Sequence, residues 1–229
     1  MDASEEVESY SSAAAEKHLD AIDDTFVEHL LRLIPTHRPP AGPLWALDVG
    51  TGPAQIPIKI LGKVPRLQFI GLDRFPNMLT CARQNAERAG VSRRLALIRS
   101  DGQALPFSDS TFAIVICNSV LHHAREPQQL LREIFRVASP GGAVLVRDLR
   151  RPSRALLGWH LWRHGRRYRG PMRRLFSASV QAAYTTEELA GMLSAVGANG
   201  ASLFRYRGAH IGIERAARSS AGLMHRSGG

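Results

Sequence analysis

The sequence predicts an α/β protein: a mostly parallel sheet of seven strands with helices on both faces, closed by an antiparallel hairpin. Three observations carry this. Five short apolar runs, each stopping at a polar residue, alternate with stretches whose apolar positions recur every three or four residues. The first run, LWALDV, breaks into Gly50, Thr51, Gly52 and Pro53 and then feeds a helix, the pattern of a nucleotide-binding turn. The last two runs, 202–207 and 210–214, are separated only by Gly208 and Ala209, the spacing of a hairpin.

In chain order, residues 1–15 are polar and alanine-rich, and 15–34 gather Leu19, Ile22, Phe26, Leu30 and Leu33 onto one face of a helix that ends before Pro35. A proline-rich loop at 37–43 leads to the first strand. Residues 55–63 read as a helix with Pro57 in its first turn, where the missing N–H loses no hydrogen bond. LQFIGL (67–72) is a second strand stopping at Asp73, and NMLTCARQNAERA (77–89) a helix closed by Gly90. The third strand, 95–99, stops at Ser100 and Asp101; the fourth, 112–117, stops at Asn118. Residues 127–138 are amphipathic, and Pro140, Gly141 and Gly142 break that helix before a fifth strand, 143–146, which stops at Arg147 and Asp148. Thr185 or Thr186, followed by Glu187 and Glu188, reads as a capping box opening a helix through Val196.

Four regions follow: a helical lid and linker (1–43), the sheet core (44–149 and 184–216), a basic helical cap inserted after the fifth strand (150–183), and a disordered tail (217–229). A chain of 229 residues is long enough to bury a sizeable core. No apolar run reaches the length needed to span a bilayer, and the acidic start MDASEEVES is unlike a basic leader, so a cytoplasmic protein is expected. Cys81 and Cys117 lack metal-ligand spacing and read as free thiols; no metal site is expected. The formal charge of +10 is concentrated in the cap, which points to an anionic partner or to a solvated face.

In a doubly wound sheet, ligands bind beyond the carboxyl ends of the strands, where strand order reverses. Asp48, Asp73, Asp101, Asn118 and Asp148 converge on that rim. The segments LDVGTGPA, IGLDRFPNML, RSDGQALPFSDSTFAIVICNSVLHH and LREIFRVASPGGAVLV, in this order and spacing, resemble the Rossmann-like class I S-adenosylmethionine-dependent methyltransferases, in the small-molecule branch often called the type 11 group. The resemblance covers about residues 44–146, and it implies S-adenosylmethionine as cofactor. By position, Asp48, Gly50, Thr51 and Gly52 would line its methionine part. Asp73, with Arg74 beside it, would accept from the ribose hydroxyls, and Met78 would pack on the adenine. Asp101, Gly102 and Gln103 would edge the ring, and Asn118 and Ser119 would hold the methionine end. Ala54 departs from the family, which usually has a third glycine there; its methyl is tolerable if the residue is already helical.

His123, His122 and Asp148, in that order, are the candidate bases. Tyr10, Trp159, His160 and Trp162, with His164 and Tyr168, are candidate walls for a small-molecule substrate of anionic, aromatic or lipid-like character. Three other readings stay open. An NAD-dependent oxidoreductase would want a third glycine where Gln55 stands, although Asp73 fits both readings. Base methylation would want a proline-rich motif after the fourth strand, where this chain has Asn118, Ser119, Val120 and Leu121, or a proline-cysteine pair, where Cys117 follows Ile116; both departures argue against a nucleic-acid substrate. A SAM-binding or regulatory protein without turnover would keep the same motifs. The oligomeric state is not legible.

Overall fold

In the computed structural model the described residues are 13–34, 44–166, 168 and 170–218, with side chains from residue 19 onward. The chain runs through α1 (Ala13–Leu33), β1 (Leu44–Val49), α2 (Gln55–Lys63), β2 (Leu67–Asp73), α3 (Pro76–Arg88), β3 (Leu95–Arg99) and β4 (Phe112–Asn118). It continues through α4 (Pro127–Val137), β5 (Ala138–Leu149), α5 (Arg154–Gly165), α6 (Gly170–Ala182), α7 (Thr186–Val196), β6 (Ser202–Tyr206) and β7 (His210–Arg215). The seven strands form one sheet in the order β3-β2-β1-β4-β5-β7-β6. β1 to β5 pair in parallel, and β7 runs antiparallel to both β5 and β6. Strand order reverses between β1 and β4, and the rim past their carboxyl ends is where doubly wound sheets place the ligand crevice.

Alternation along the strands sends side chains into two cores. Ala46, Phe69, Ile114 and Leu145 pack with Phe26, Val27 and Leu30 of α1, Ile56, Ile60 and Leu61 of α2, and Ala82 and Ala86 of α3. Leu47, Val115, Val144 and Val146 pack on the other face with Leu130, Leu131, Ile134 and Val137 of α4 and Leu189 of α7. Asp48 follows Leu47, and Asp148 follows Arg147, so the two carboxylates leave the sheet on opposite faces: Asp48 toward α1, Asp148 toward α4 and the Leu121–His123 turn.

β5 departs from its expected extent. It begins at Ala138, paired with Phe112, and resumes at Ala143 opposite Ile114 after a register shift, so Pro140, Gly141 and Gly142 do not interrupt it. The strands pass so closely there that a Cβ on Gly142 would lie 2.8 Å from the Ala113 carbonyl oxygen. Arg147 and Asp148 consequently lie inside the strand and are not its stops. Arg147 is 2% exposed. Its guanidinium donates to Asn118 Oδ1 (3.0 Å), Thr25 Oγ1 (2.9 Å) and the Ile22 carbonyl (3.1 Å), and stands over the Phe26 ring, fastening α1 to the sheet beside the crevice.

After β5 the chain forms α5 and α6, which pack on each other, and α6 also touches the Leu121–His123 turn. Thr185 caps α7: its hydroxyl accepts from Glu188 N (3.2 Å), and its own N–H donates to Glu188 Oε2 (2.8 Å). Past β7, Ala217 N donates to the Leu33 carbonyl and Arg218 N to the Gly141 carbonyl, so these two residues are tied down and do not belong to a disordered tail. The rest of that segment lies outside the described residues, as does Tyr10.

Candidate active site

The turn after β1 is built for close approach. Gly50 and Gly52 have φ of 75° and 52°, and the N–H groups of Gly50 and Thr51 both donate to the Leu72 carbonyl (2.8 Å each). A Cβ on Gly50 would come within 2.4 Å of the Val120 side chain, so this turn packs against the loop after β4. Ala54 is not yet helical. It precedes α2 at φ 61° and ψ 27°, the left-handed region, so its methyl is tolerated for another reason: it is fully buried in the core beside α1. The left-handed backbone costs about 1–2 kcal/mol in a non-glycine residue; the buried methyl returns roughly 0.8 kcal/mol, and the stiffer unfolded chain about another 0.4–1 kcal/mol. Ala54→Gly is therefore expected to change stability by less than about 1 kcal/mol, checked by urea unfolding, with cofactor affinity equal or tighter.

Asp73 ends β2. Its Oδ2 accepts from Gly52 N (2.9 Å) and its Oδ1 from Phe75 N (2.9 Å), which orients both oxygens and joins the first turn to the second strand. Asp48 is fully enclosed; burial, then the negative charges of Asp73 and Asp23, push its carboxyl up to about 7, while the Thr51 hydroxyl beside it holds the value down. That hydroxyl is buried and makes no regular hydrogen bond. Burial likewise raises Asp23 of α1 to about 6, against the opposing charges of Arg147 and Lys59. Asp48 and Asp73 thus stand beside the glycine turn with the buried Thr51 hydroxyl, and Asp23 adds its charge to Asp48, an arrangement that a cationic ligand would relieve.

Further along the rim, Asp101 is exposed; its Oδ1 accepts from Gln103 N (2.9 Å), and the Gln103 amide spans both its oxygens. Gln103 Oε1 accepts from Glu126 N (2.6 Å) at the entry to α4, so this loop is fixed from two sides. Beneath it, Leu105 N donates to Glu133 Oε2 (2.7 Å), and Arg136 donates to the carbonyls of Leu105 and Phe107. A Cβ on Gly102 would meet Val49 and Leu130 side-chain methyls at 2.9 Å, so a larger residue there would have to displace them. Met78 is half-buried in the first turn of α3, and Arg74 is exposed with its guanidinium over the Phe75 ring. Asn118 gives its side-chain oxygen to Arg147, and Ser119, at φ 58°, gives its N–H to the Arg147 carbonyl (2.8 Å).

On the opposite face, Asp148 and His122 form a buried pair. Asp148 Oδ1 lies 2.6 Å from His122 Nδ1, and Oδ2 accepts from His122 N at 3.0 Å. The carboxylate fixes the hydrogen on Nδ1 and leaves Nε2 as the acceptor, and Nε2 has no hydrogen-bond partner. His123 lies against the His122 ring (3.9 Å between centroids) with part of its side chain open to solvent; the partial desolvation of its ring, then the His122 charge, lowers its pKa to about 4. The structure thus reverses the order of the candidate bases: His122 is the oriented one, Asp148 holds it, and His123 is left without a carboxylate.

Of the cap residues, His160 is 2% exposed, with its ring 4.5 Å from that of His164 and its Nε2 unpartnered. Trp159 and Trp162 stand on the outer face of α5. Asp23, Arg147 and His210 were not among the sequence candidates. His210, at the start of β7, is pushed down to about 3, first by burial, then by Arg147, with Asp148 opposing and His164 and His160 contributing. Only a topology that brings α1 and β7 to the same rim reveals them. Among the described residues, no group of three or more His, Cys, Asp or Glu is arranged to hold a metal ion, and no helix is long and apolar enough to cross a membrane.

Residues 47–146 match a family model described as "Methyltransferase domain". The demethylmenaquinone methyltransferase of Deinococcus radiodurans is 32% identical over 51% of this chain and 47% of its own length. The ubiquinone/menaquinone biosynthesis C-methyltransferase of Roseobacter denitrificans is 34% identical over 44% and 40%. The chain thus spans less than half the length of these two relatives. Among solved structures, a SAM-dependent methyltransferase from Aquifex aeolicus shares the fold at 18% identity and a TM-score of 0.58, covering 86% of this chain and 89% of that one. The [4+2]-cyclase SpnF shares it at 22% and 0.58, over 81% and 59%.

Proposed function

We propose, from the match of residues 47–146 to the methyltransferase-domain model, that the chain moves a methyl group from S-adenosylmethionine to a small molecule, an electron-rich phenol or hydroquinone. The observation that carries the cofactor is the set of Asp48, Asp73 and Thr51 around the glycine turn at the strand-order reversal: enclosed negative charge and an unengaged hydroxyl suit a ligand with an ammonium, a sulfonium and a ribose. When bound, S-adenosylmethionine supplies an electrophilic methyl on a positively charged sulfur. Asp73, already oriented by Gly52 and Phe75, retains lone pairs for two adjacent hydroxyls. Asp101 and Gln103 edge the adenine, and Asp48 answers the positive charge.

The acceptor class rests on the relatives, which are named for quinone precursors, and on the His122–Asp148 pair. With S-adenosylmethionine bound, the acceptor's oxygen or a ring carbon would take the methyl as the carbon–sulfur bond breaks with its electron pair staying on sulfur; attack by carbon would be completed by loss of the hydrogen on that carbon as the ring oxygen regains a proton. The acceptor's hydroxyl proton passes to His122 Nε2, and Asp148 stabilises the imidazolium formed. Holding the acceptor in line behind the methyl and excluding water supply most of the remaining acceleration. The free thiols Cys81 and Cys117 suit a reducing compartment, in keeping with a cytoplasmic site of action.

One pH effect follows. With Asp48 near 7 in the free protein, a cationic ligand favours its ionised form, so binding expels a proton wherever the carboxyl is still protonated. Affinity for S-adenosylmethionine is therefore expected to fall as pH drops from about 7.5 to 6, approaching tenfold per unit at the acid end. Calorimetry in buffers of different ionisation enthalpy checks this by the proton released, which Asp48→Asn abolishes. The reading as a whole is tested by incubation with methyl-labelled S-adenosylmethionine and a panel of alkyl hydroquinones and phenols. Label in the organic extract is expected. Tight cofactor binding with no transfer to any acceptor would instead favour a non-methylating use of the fold, such as that of the cyclase.

A further inference from the structure

We propose that the outer face of α5 is a docking surface for an anionic phospholipid bilayer. The helix has two faces of different character. Inward it turns Leu157, Leu161 and the buried His160; outward it turns Leu156, Trp159 and Trp162, which are 54%, 60% and 57% exposed. Lone exposed apolar residues are ordinary, but a leucine and two tryptophans at successive three-residue spacing make one continuous patch on one helix. Arg163 and Arg166 follow Trp159 and Trp162 by four residues, both are exposed, and the Arg166 guanidinium stands 5.9 Å from the centre of the Trp162 ring.

Charge selects the partner. From residue 150 to 186 the sequence holds nine arginines and no aspartate or glutamate, so Arg163 and Arg166 beside the tryptophans have no acidic residue in this segment to neutralise them, and the patch favours an anionic partner. A nucleic acid would meet the arginines but would leave Leu156 without an apolar environment. A bilayer surface satisfies all three chemistries together: arginines reach lipid phosphates, indole rings sit at headgroup level with N–H groups toward water, and leucine enters the acyl boundary. At 12 residues α5 is far too short to span, so it lies in the plane of the interface. A helix is about 10–12 Å thick. Docking therefore brings lipid within one helix diameter of His160 and the histidines around it. A lipophilic acceptor then needs no passage through water; that consequence rests on the proposed function, whereas docking itself does not.

The test is vesicle binding by the Trp45→Phe protein, in which Trp159 and Trp162 are the remaining indoles. With vesicles of equal parts phosphatidylglycerol and phosphatidylcholine, we expect co-sedimentation, a blue shift of the emission and quenching by brominated phosphatidylcholine. Phosphatidylcholine alone should bind at least about tenfold more weakly. In the wild-type background, Trp159→Ser with Trp162→Ser should lower partitioning about tenfold with the melting temperature kept, because both side chains are exposed. Absence of binding to the mixed vesicles overturns the proposal. Binding without a blue shift that persists in the double variant also overturns it, since simple charge adsorption then suffices. Indole quenching by RNA in place of vesicles would reassign the face to nucleic acid. Partitioning is read without turnover, so failure here is distinct from failure of the methyl-transfer reading.

Discussion

Asp73→Ala is expected to weaken S-adenosylmethionine binding by two to three orders of magnitude. In the proposed binding mode, two charge-assisted hydrogen bonds to the ribose hydroxyls, each worth about 1.5–3 kcal/mol, would be lost together, and the lower half of their combined range already amounts to two to three orders. The same change removes the acceptor for Gly52 N and Phe75 N, so the turn after β1 loses its tie to the end of β2. Asp73→Asn separates the two effects. It keeps an oxygen for one of the two backbone N–H groups and sets its N–H₂ against the other, so it should loosen the turn less than Asp73→Ala while still binding at least about tenfold more weakly. Isothermal titration of each variant, with thermal unfolding as the control for the turn, reads this directly. Near-native affinity in Asp73→Ala would remove Asp73 from the site.

The second large effect is on turnover. His122→Ala and Asp148→Asn are each expected to lower kcat by roughly a hundredfold to ten-thousandfold, with cofactor affinity nearly unchanged. Asp148 accepts from His122 Nδ1, His122 N and Leu149 N, so an amide in its place both frees the imidazole tautomer and sets an N–H₂ against at least one donor. A purely structural role would be moved by that disturbance as well, so the discriminating readout is acceptor ionisation. For a phenol already ionised at the assay pH, no proton needs removal before methyl transfer, and where transfer is rate-limiting the two variants should recover most of the wild-type rate. For a phenol still protonated, they should not. Equal losses on both acceptors would make the pair structural.

How much of this was legible in the sequence depended on whether the signal was local. The glycine turn, Asp73 and Asp101 sit in short segments whose order and spacing carry their meaning, and the alternation of strands and helices placed them on one rim. The extent of β5 was not legible, because Pro140, Gly141 and Gly142 read locally as a break. Their strand geometry is set by the neighbouring β4, with Ala113 close against Gly142. Ala54 misled in the same way: whether it was helical turned on one backbone angle, and the structure resolves it as left-handed and held by burial. The His122–Asp148 pair was present as three loose candidates, and only a strand register linking residues 26 positions apart selects among them. Asp23, Arg147 and His210 became visible only through tertiary packing, since nothing in a helix stripe or a hairpin marks a group that will face a crevice built from other strands.

The proposed site at the reversal of strand order takes a single adenosyl group with a cationic tail. The most direct measurement is calorimetric titration of the wild-type protein at pH 7.5 with S-adenosylmethionine, its demethylated product, and NADH. Saturable binding of the first two in the micromolar range and no saturable heat with NADH are expected. Saturable binding of NADH, or no binding of either adenosyl ligand, would contradict it.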